Sequence, residues 1–279
     1  MTLKLKIIFA FLAVCSAIAP QESLAACFDE KAACKVAGGR YQVMWPNGVD
    51  RNTKVPAVVV LHSWGASGLG LIRSGKMVKV MLAQGYAVIA PEGLQRTDGE
   101  GGTWDFQPTR KARRDEVAFI IAVADDAAKR ANIDRDKMLL TGFSIGGSMT
   151  SYVACKAPNS FKAFAPTLAS FWRPQPESCE GPVNLLHSHG LADTSVPLTG
   201  RTVGDGLRQG NVYEAMDIFR KANGCSSWEP TTTGTDGEVK WRRWTSCVKG
   251  GSVELALYPG GHSVPRGWAE RALKWFEQQ

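Results

Sequence analysis

The stretch MLLTGFSIGGSMTSYVACKA, residues 138–157, decides the fold. Residues 138–143 are apolar enough for a buried strand, and residues 147–157 carry a helical pattern. Between them, Gly142-Phe143-Ser144-Ile145-Gly146 permits one sharp turn. A serine at the tip of a strand-to-helix turn holds its hydroxyl clear of the sheet, with the positive end of the helix behind it. Both glycines have a reason to be there, since a side chain at 142 or 146 would run into the neighbouring strand or helix. Gly-x-Ser-x-Gly by itself matches a chain of this length by accident roughly one time in ten at average residue usage. The flanking strand and helix turn that match into a nucleophile elbow.

Outward from the elbow, strand and helix patterns alternate. Strands are expected at 40–45, 55–61, 86–90, 164–169, 183–187 and 253–258, with a hairpin within 238–247. Helices are expected at 69–84, 115–131, 211–222 and 268–277. The run VPAVVVL at 55–61 is nearly continuous and β-branched, which suits a strand buried on both faces of a parallel sheet. Such alternation predicts an α/β fold: a mainly parallel central sheet, helices on both faces, one domain. Residues 92–111 have no clear period and are rich in glycine, so they read as a long surface loop.

A serine hydroxyl is a weak nucleophile at neutral pH and needs a base, which in turn needs an orienting carboxylate. On this architecture the chain order is serine, acid, histidine. The sequence holds four histidines, His62, His187, His189 and His262, of which His62 precedes the serine. Asp193 follows the strand expected at 183–187, and His262 is then the histidine left downstream of the acid. It sits in the small-residue loop Gly260-Gly261-His262-Ser263. The candidate catalytic set is Ser144, Asp193 and His262. An oxyanion needs donors, for which the amide of Ile145 and that of Trp64 in His62-Ser63-Trp64-Gly65 are the candidates, with Ser63 as the alternative to Trp64. His187 and His189 form a His-x-His compatible with metal ligation. No carboxylate or third histidine lies at ligand spacing, so buried, hydrogen-bonded roles are expected for them, with no metal and no cofactor.

The first residues read as an export signal rather than as part of the fold. Lys4 and Lys6 precede an apolar run over 7–19, and Ser23-Leu24-Ala25-Ala26 offers a cleavage site. The run is shorter than the roughly 20 residues of a membrane span. The division expected is 1–26 signal peptide and 27–279 catalytic domain, with a secreted or periplasmic product and no stable membrane insertion. Leu24-Ala25-Ala26-Cys27 also resembles a lipoprotein box, although Pro20-Gln21-Glu22-Ser23 separates it from the apolar run. Of seven cysteines, Cys15 lies in the signal, leaving Cys27, Cys34, Cys155, Cys179, Cys225 and Cys247. An even count in an exported chain points to disulfides, and six cysteines allow roughly 15 pairings, of which nearest-neighbour pairing is one. The formal net charge is +7, with basic residues scattered apart from Arg110-Lys111-Ala112-Arg113-Arg114, which reads as a solvated face or a surface for an acidic substrate. Nothing shows the aromatic–basic pattern of a nucleic-acid binder.

With these motifs in place, the chain resembles the group of secreted esterases that joins polyhydroxybutyrate depolymerases with feruloyl and acetylxylan esterases, on the α/β-hydrolase fold. The resemblance runs over 27–268 and rests on several motifs. These are Cys34 with Gly38-Gly39-Arg40-Tyr41, VVVLH at 58–62, TGFSIGG at 141–147, HGLADTSVP at 189–197 and GGHSVP at 260–265. It implies a serine carboxylic ester hydrolase with Ser144, Asp193 and His262 as nucleophile, acid and base. It also implies disulfides pairing 27–34, 155–179 and 225–247. The chain departs from the group at His62-Ser63, where His-Gly is usual, and at Trp64, where a small residue or cysteine is usual. A bulky side chain there either narrows the acyl pocket or supplies an aromatic wall. The cysteine-rich segment common before the central helix is replaced by Trp104-Asp105-Phe106-Gln107, and no polymer-binding module follows. Soluble or oligomeric esters are therefore the expected substrates. Trp104, Phe171 and Trp172 are candidate pocket walls suited to an aromatic acyl group. A serine peptidase and an acetylxylan-type carbohydrate esterase are the alternatives. A binding module is disfavoured because nucleophile, acid, base and elbow glycines are all present.

Overall fold

The structure is a computed structural model and describes residues 27–28 and 32–279; the signal peptide expected over 1–26 lies outside the described residues. In chain order the elements are β1 (Cys34–Val36), β2 (Gly39–Met44), β3 (Val55–Leu61), α1 (Gly68–Ser74), α2 (Lys76–Ala83), β4 (Ala87–Pro91), β5 (Leu94–Gln95), β6 (Gly102–Thr103) and α3 (Glu116–Arg130). They continue with β7 (Ile133–Phe143), α4 (Ile145–Lys156), β8 (Ala163–Thr167), β9 (Asn184–Gly190), α5 (Val212–Asn223), β10 (Thr232–Asp236), β11 (Val239–Trp244), β12 (Ser252–Tyr258) and α6 (Trp268–Phe276).

Among the described residues, ten strands form one sheet in the order β1-β2-β4-β3-β7-β8-β9-β12-β11-β10. The strands from β4 to β12 in that order run parallel, and the two outer strands on each side run antiparallel. The alternation of side chains along β3 shows why the run is uninterruptedly apolar. Ala57, Val59 and Leu61 enter one core layer, while Val58 and Val60 enter the other. The first layer is closed by α3, α4 and α5 through Phe119, Ile120, Met149, Val153, Met216 and Phe219. The second is closed by α2 and α6 through Val78, Met81, Leu82, Trp268, Leu273 and Phe276. A helix on each face is what a strand buried on both sides requires.

Two expected elements differ. The helix expected over 69–84 is two helices, because Gly75 takes an extended conformation and a Cβ there would lie 2.7 Å from Leu71 O and from Val78. The hairpin expected within 238–247 pairs Val239–Trp244 with the polar strand Thr232–Asp236, turning at Gly237, whose φ is 58°. Strand β10 is exposed along most of its length, so it has no apolar alternation to read.

Three disulfides join Cys27 to Cys34, Cys155 to Cys179 and Cys225 to Cys247. The second ties the last turn of α4 to the segment before β9, with a sequence separation of 24. Cross-links of that loop length stabilise by about 3 kcal/mol by restricting the unfolded chain. Replacing Cys155 and Cys179 together by alanine is expected to lower the unfolding free energy by about that amount, read as a lower urea midpoint, with a steeper slope because the freed unfolded chain exposes more surface.

Candidate active site

The turn between β7 and α4 is as tight as its residues imply. Ser144 has φ 57° and ψ −121°, a conformation that side chains other than glycine rarely adopt. Its N–H is held by Thr167 O at 3.0 Å, and its carbonyl accepts from Ser148 N at 2.9 Å. Strain of this kind costs of order 1–3 kcal/mol and survives where the surroundings over-determine it. Here two glycines and their neighbours do so. A Cβ on Gly142 would sit 2.4 Å from the Gly146 carbonyl, and one on Gly146 would sit 2.4 Å from Leu61 O and 2.6 Å from His62 O. The first turn of α4 thus rests directly on the end of β3. Gly146→Ala is expected to destabilise the fold by about 1–3 kcal/mol, since the clash is with main chain, and to reduce turnover as well. Chemical denaturation alongside an activity assay checks both.

The structure brings Asp193 and His262 to this serine. His262 Nε2 is 2.9 Å from Ser144 Oγ, and His262 Nδ1 is 2.7 Å from Asp193 Oδ2. A carboxylate only accepts, so Nδ1 carries the proton and Nε2 is left to accept from the serine hydroxyl. The Asp193 side chain is fully shielded from solvent. Burial of a carboxylate is costly unless its oxygens are satisfied. Oδ1 accepts from Ser195 N at 2.9 Å and Val196 N at 2.8 Å, leaving Oδ2 for the imidazole. The loops bearing Asp193 and His262 are joined: Ala192 N donates to Gly260 O at 2.8 Å, and Leu191 N donates to Tyr258 O at 2.8 Å. Gly190 permits this approach, because a Cβ there would lie 2.3 Å from Gly260 O. Phe143, a position sequence reasoning passed over, stands with its ring 4.9 Å from that of His262.

Gly146 rests against Leu61 O and His62 O, where the loop after β3 begins. The amide of Ile145 belongs to the first turn of α4, where a helix leaves its N–H groups without intrahelical partners. The loop 62–65 is fixed from beneath. His62 is buried, its Nδ1 bonded to Ser63 O at 2.8 Å and its Nε2 accepting from Gly93 N at 2.9 Å. Burial holds the His62 pKa below the ordinary histidine value. Trp104 donates from Nε1 to His62 O at 2.9 Å. Of the residues expected as pocket walls, Phe171 is buried in the core, whereas Trp104 supports the loop and also lines a cavity beside Trp64. Trp104 is 1% exposed, and Phe171 is 0% exposed and packs between Tyr152 and Phe219. Trp172 is half-buried, edge-on to Phe106 at 5.9 Å. Trp64 is 47% exposed with the Arg96 guanidinium 4.4 Å from its ring centroid. It borders a cavity of about 250 Å³ lined by Arg96, Arg110, Lys111 and Arg113 and floored by Trp104. The basic cluster is thereby divided: Lys111 faces the cavity, while Arg114 turns inward to the buried Glu116, at 2.6 Å.

Among the described residues, no group of three or more His, Cys, Asp or Glu could hold a metal ion, and no helix is long and apolar enough to cross a membrane. The model of the prolyl oligopeptidase family matches residues 73–171, a span that includes the elbow and stops before Asp193 and His262. The chain is 27% identical over 245 residues to the Probable feruloyl esterase C of Aspergillus niger, covering 82% of this chain and 77% of that one. It is 28% identical over 189 residues to a bifunctional acetylxylan esterase/xylanase of Neocallimastix patriciarum, covering 65% of this chain and 25% of that one. Among solved structures, the acetyl xylan esterase from Aspergillus awamori superposes with a TM-score of 0.63 at 17% identity, over 87% of this chain and 95% of that one. The fold is that of the α/β-hydrolases, and the expected resemblance to feruloyl and acetylxylan esterases is borne out.

Proposed function

We propose that this α/β-hydrolase is a serine carboxylic ester hydrolase that works through an acyl-enzyme on Ser144. The observation that carries the reading is the unbroken chain from Asp193 Oδ2 to His262 at 2.7 Å and from His262 Nε2 to Ser144 Oγ at 2.9 Å, ending on a strained elbow. In this scheme His262 takes the proton as Ser144 Oγ attacks the ester carbonyl, and Asp193 steadies the imidazolium that forms. The negative oxygen of the tetrahedral intermediate is held by the amide of Ile145 and one from the 63–64 stretch, with Trp64 the first candidate. His262 then protonates the leaving alkoxide, and water reverses the sequence to free the acid. The substrate class proposed is a soluble or oligomeric ester of feruloyl or acetyl type, in keeping with the relatives. The chain is proposed to be exported, which the three disulfides support.

The test is a panel of nitrophenyl esters of increasing acyl length, methyl ferulate, acetylated xylo-oligosaccharides and a hydroxybutyrate oligomer, combined with fluorophosphonate labelling. Turnover of at least one ester and a label on Ser144 are expected. Folded protein that hydrolyses none of them and leaves Ser144 unlabelled would sink the reading. The match to the prolyl oligopeptidase family favours peptide hydrolysis as a second reading. A matched ester and amide with the same acyl group separate the two, and the ester reading expects the amide to be essentially inert.

A further inference from the structure

The His-x-His pair on β9 takes no part in the scheme above, yet His187 and His189 are 1% and 0% exposed and lie beside the acid loop. Their hydrogen bonds permit one arrangement of protons. His189 Nε2 is 2.8 Å from Val196 O, and a carbonyl can only accept, so Nε2 carries a proton. In a neutral ring Nδ1 is then an acceptor. It lies 3.0 Å from His187 Nε2, which must donate. His187 Nδ1 is consequently bare, and it is buried without a hydrogen-bond partner among the described residues. Burial is the largest influence on both rings and pushes their pKa values below the ordinary histidine range, so both are neutral at neutral pH.

The carbonyl that His189 grips belongs to Val196, whose N–H donates to Asp193 Oδ1 at 2.8 Å. The same His189 Nε2 stands 3.6 Å from Asp193 Oδ2, the oxygen that receives His262 Nδ1. One ring therefore fixes the residue that orients the carboxylate and presents a neutral N–H dipole to the face of the carboxylate used in the reaction. We propose that His189 is a positioning residue, which pins Val196 to β9 so that Asp193 keeps Oδ2 aimed at His262. The proposal rests on the roles given above to Asp193 and His262. The titratable groups around His189 are Asp193, His262 and His187; Tyr258 on the adjacent strand β12 also faces Asp193, and burial together with the Asp193 charge raises its pKa and keeps it neutral. Protonating His189 would place a second cation against the carboxylate and weaken its hold on His262. The neutral donor avoids that competition.

The test compares His189→Phe with His189→Gln by the pH dependence of kcat and KM on nitrophenyl acetate. Phenylalanine fills the space without a donor, whereas the glutamine amide can donate from a position close to that of Nε2. With His189→Phe, kcat is expected to fall about 10–100-fold, as for a displaced catalytic group, with KM nearly unchanged. The acid limb of its profile should move to lower pH, because the imidazolium of His262 loses part of its counter-charge. His189→Gln should recover much of both. Equal losses in the two variants with the acid limb in place, or no loss in either, would overturn the proposal. If His189→Phe does not fold, nitrogen NMR of the wild-type enzyme decides. His189 is expected as the neutral Nε2–H tautomer across the pH range in which activity rises, and a charged ring or an Nδ1–H tautomer there would overturn it. Fluorophosphonate labelling of the wild type on Ser144 separates a failure of this proposal from a failure of the esterase reading.

Discussion

Replacing Ser144 by alanine is expected to lower kcat/KM for any ester the enzyme turns over by roughly 10⁴–10⁶-fold, with the fold intact. The expectation follows from what the hydroxyl does in the structure. Its oxygen lies 2.9 Å from His262 Nε2, so its loss removes the proposed attacking oxygen and one hydrogen bond. Net hydrogen bonds of this kind contribute about 1 kcal/mol, a small part of the stability of a domain this size. Alanine keeps a Cβ at φ 57°, so the elbow strain is retained rather than relieved. A thermal melt near that of the wild type together with a collapse in turnover is the expected pair of results. A folded Ser144→Ala enzyme with full activity would remove Ser144 from the nucleophile's place.

The second large effect is expected at Asp193. Asparagine fits the same space, and the loop dictates which way its amide faces. Ser195 N and Val196 N both donate to Oδ1, so the amide oxygen must take that position and the NH₂ group must take that of Oδ2. An NH₂ group then points at His262 Nδ1 from the place where the carboxylate oxygen stood at 2.7 Å. Nδ1 can answer it only as an acceptor, which moves the ring proton to Nε2. The serine hydroxyl then meets a donor instead of a base. A loss in kcat of about 10⁴-fold, with KM and the melting temperature changed little, is expected. Steady-state kinetics and a melt check it. Activity within tenfold of the wild type would show that another group orients His262.

Much of this was legible in the chain itself, and where it was not the reasons are physical. The strand at 55–61 is apolar at every position because both sheet faces are covered by helices, and a run of that kind survives without knowledge of its neighbours. Amphipathic α3 is legible for the complementary reason, one buried stripe bounded by an Asp115 cap. Strand β10 is not, because edge pairing to β11 demands backbone hydrogen bonds and almost no apolar side chains. The break at Gly75 depends on main-chain packing that no period records. Within the site, Trp104 and Trp64 are the same residue type in two glycine-containing segments. One is sealed beneath the loop at 1% exposure and the other lies out at 47% against Arg96, a difference set by which segment folds under which.

By itself, the sequence determined the elbow, the candidates Ser144, Asp193 and His262 in that order, the α/β class and the even set of cysteines from Cys27 onward. These are local turn chemistry, periodicity and counting, each contained in a short stretch of chain. Only the tertiary structure decided the protonation pattern. Ser144 and His262 are 118 positions apart, and His262 and Asp193 are 69 apart, yet contacts of 2.9 and 2.7 Å assign a proton to one ring nitrogen and leave the other free. The His187–His189–Val196 chain was likewise two histidines without a task until β9 and the acid loop met. Which nitrogen can act as a base depends on the partner facing it in space, and sequence spacing carries no record of that.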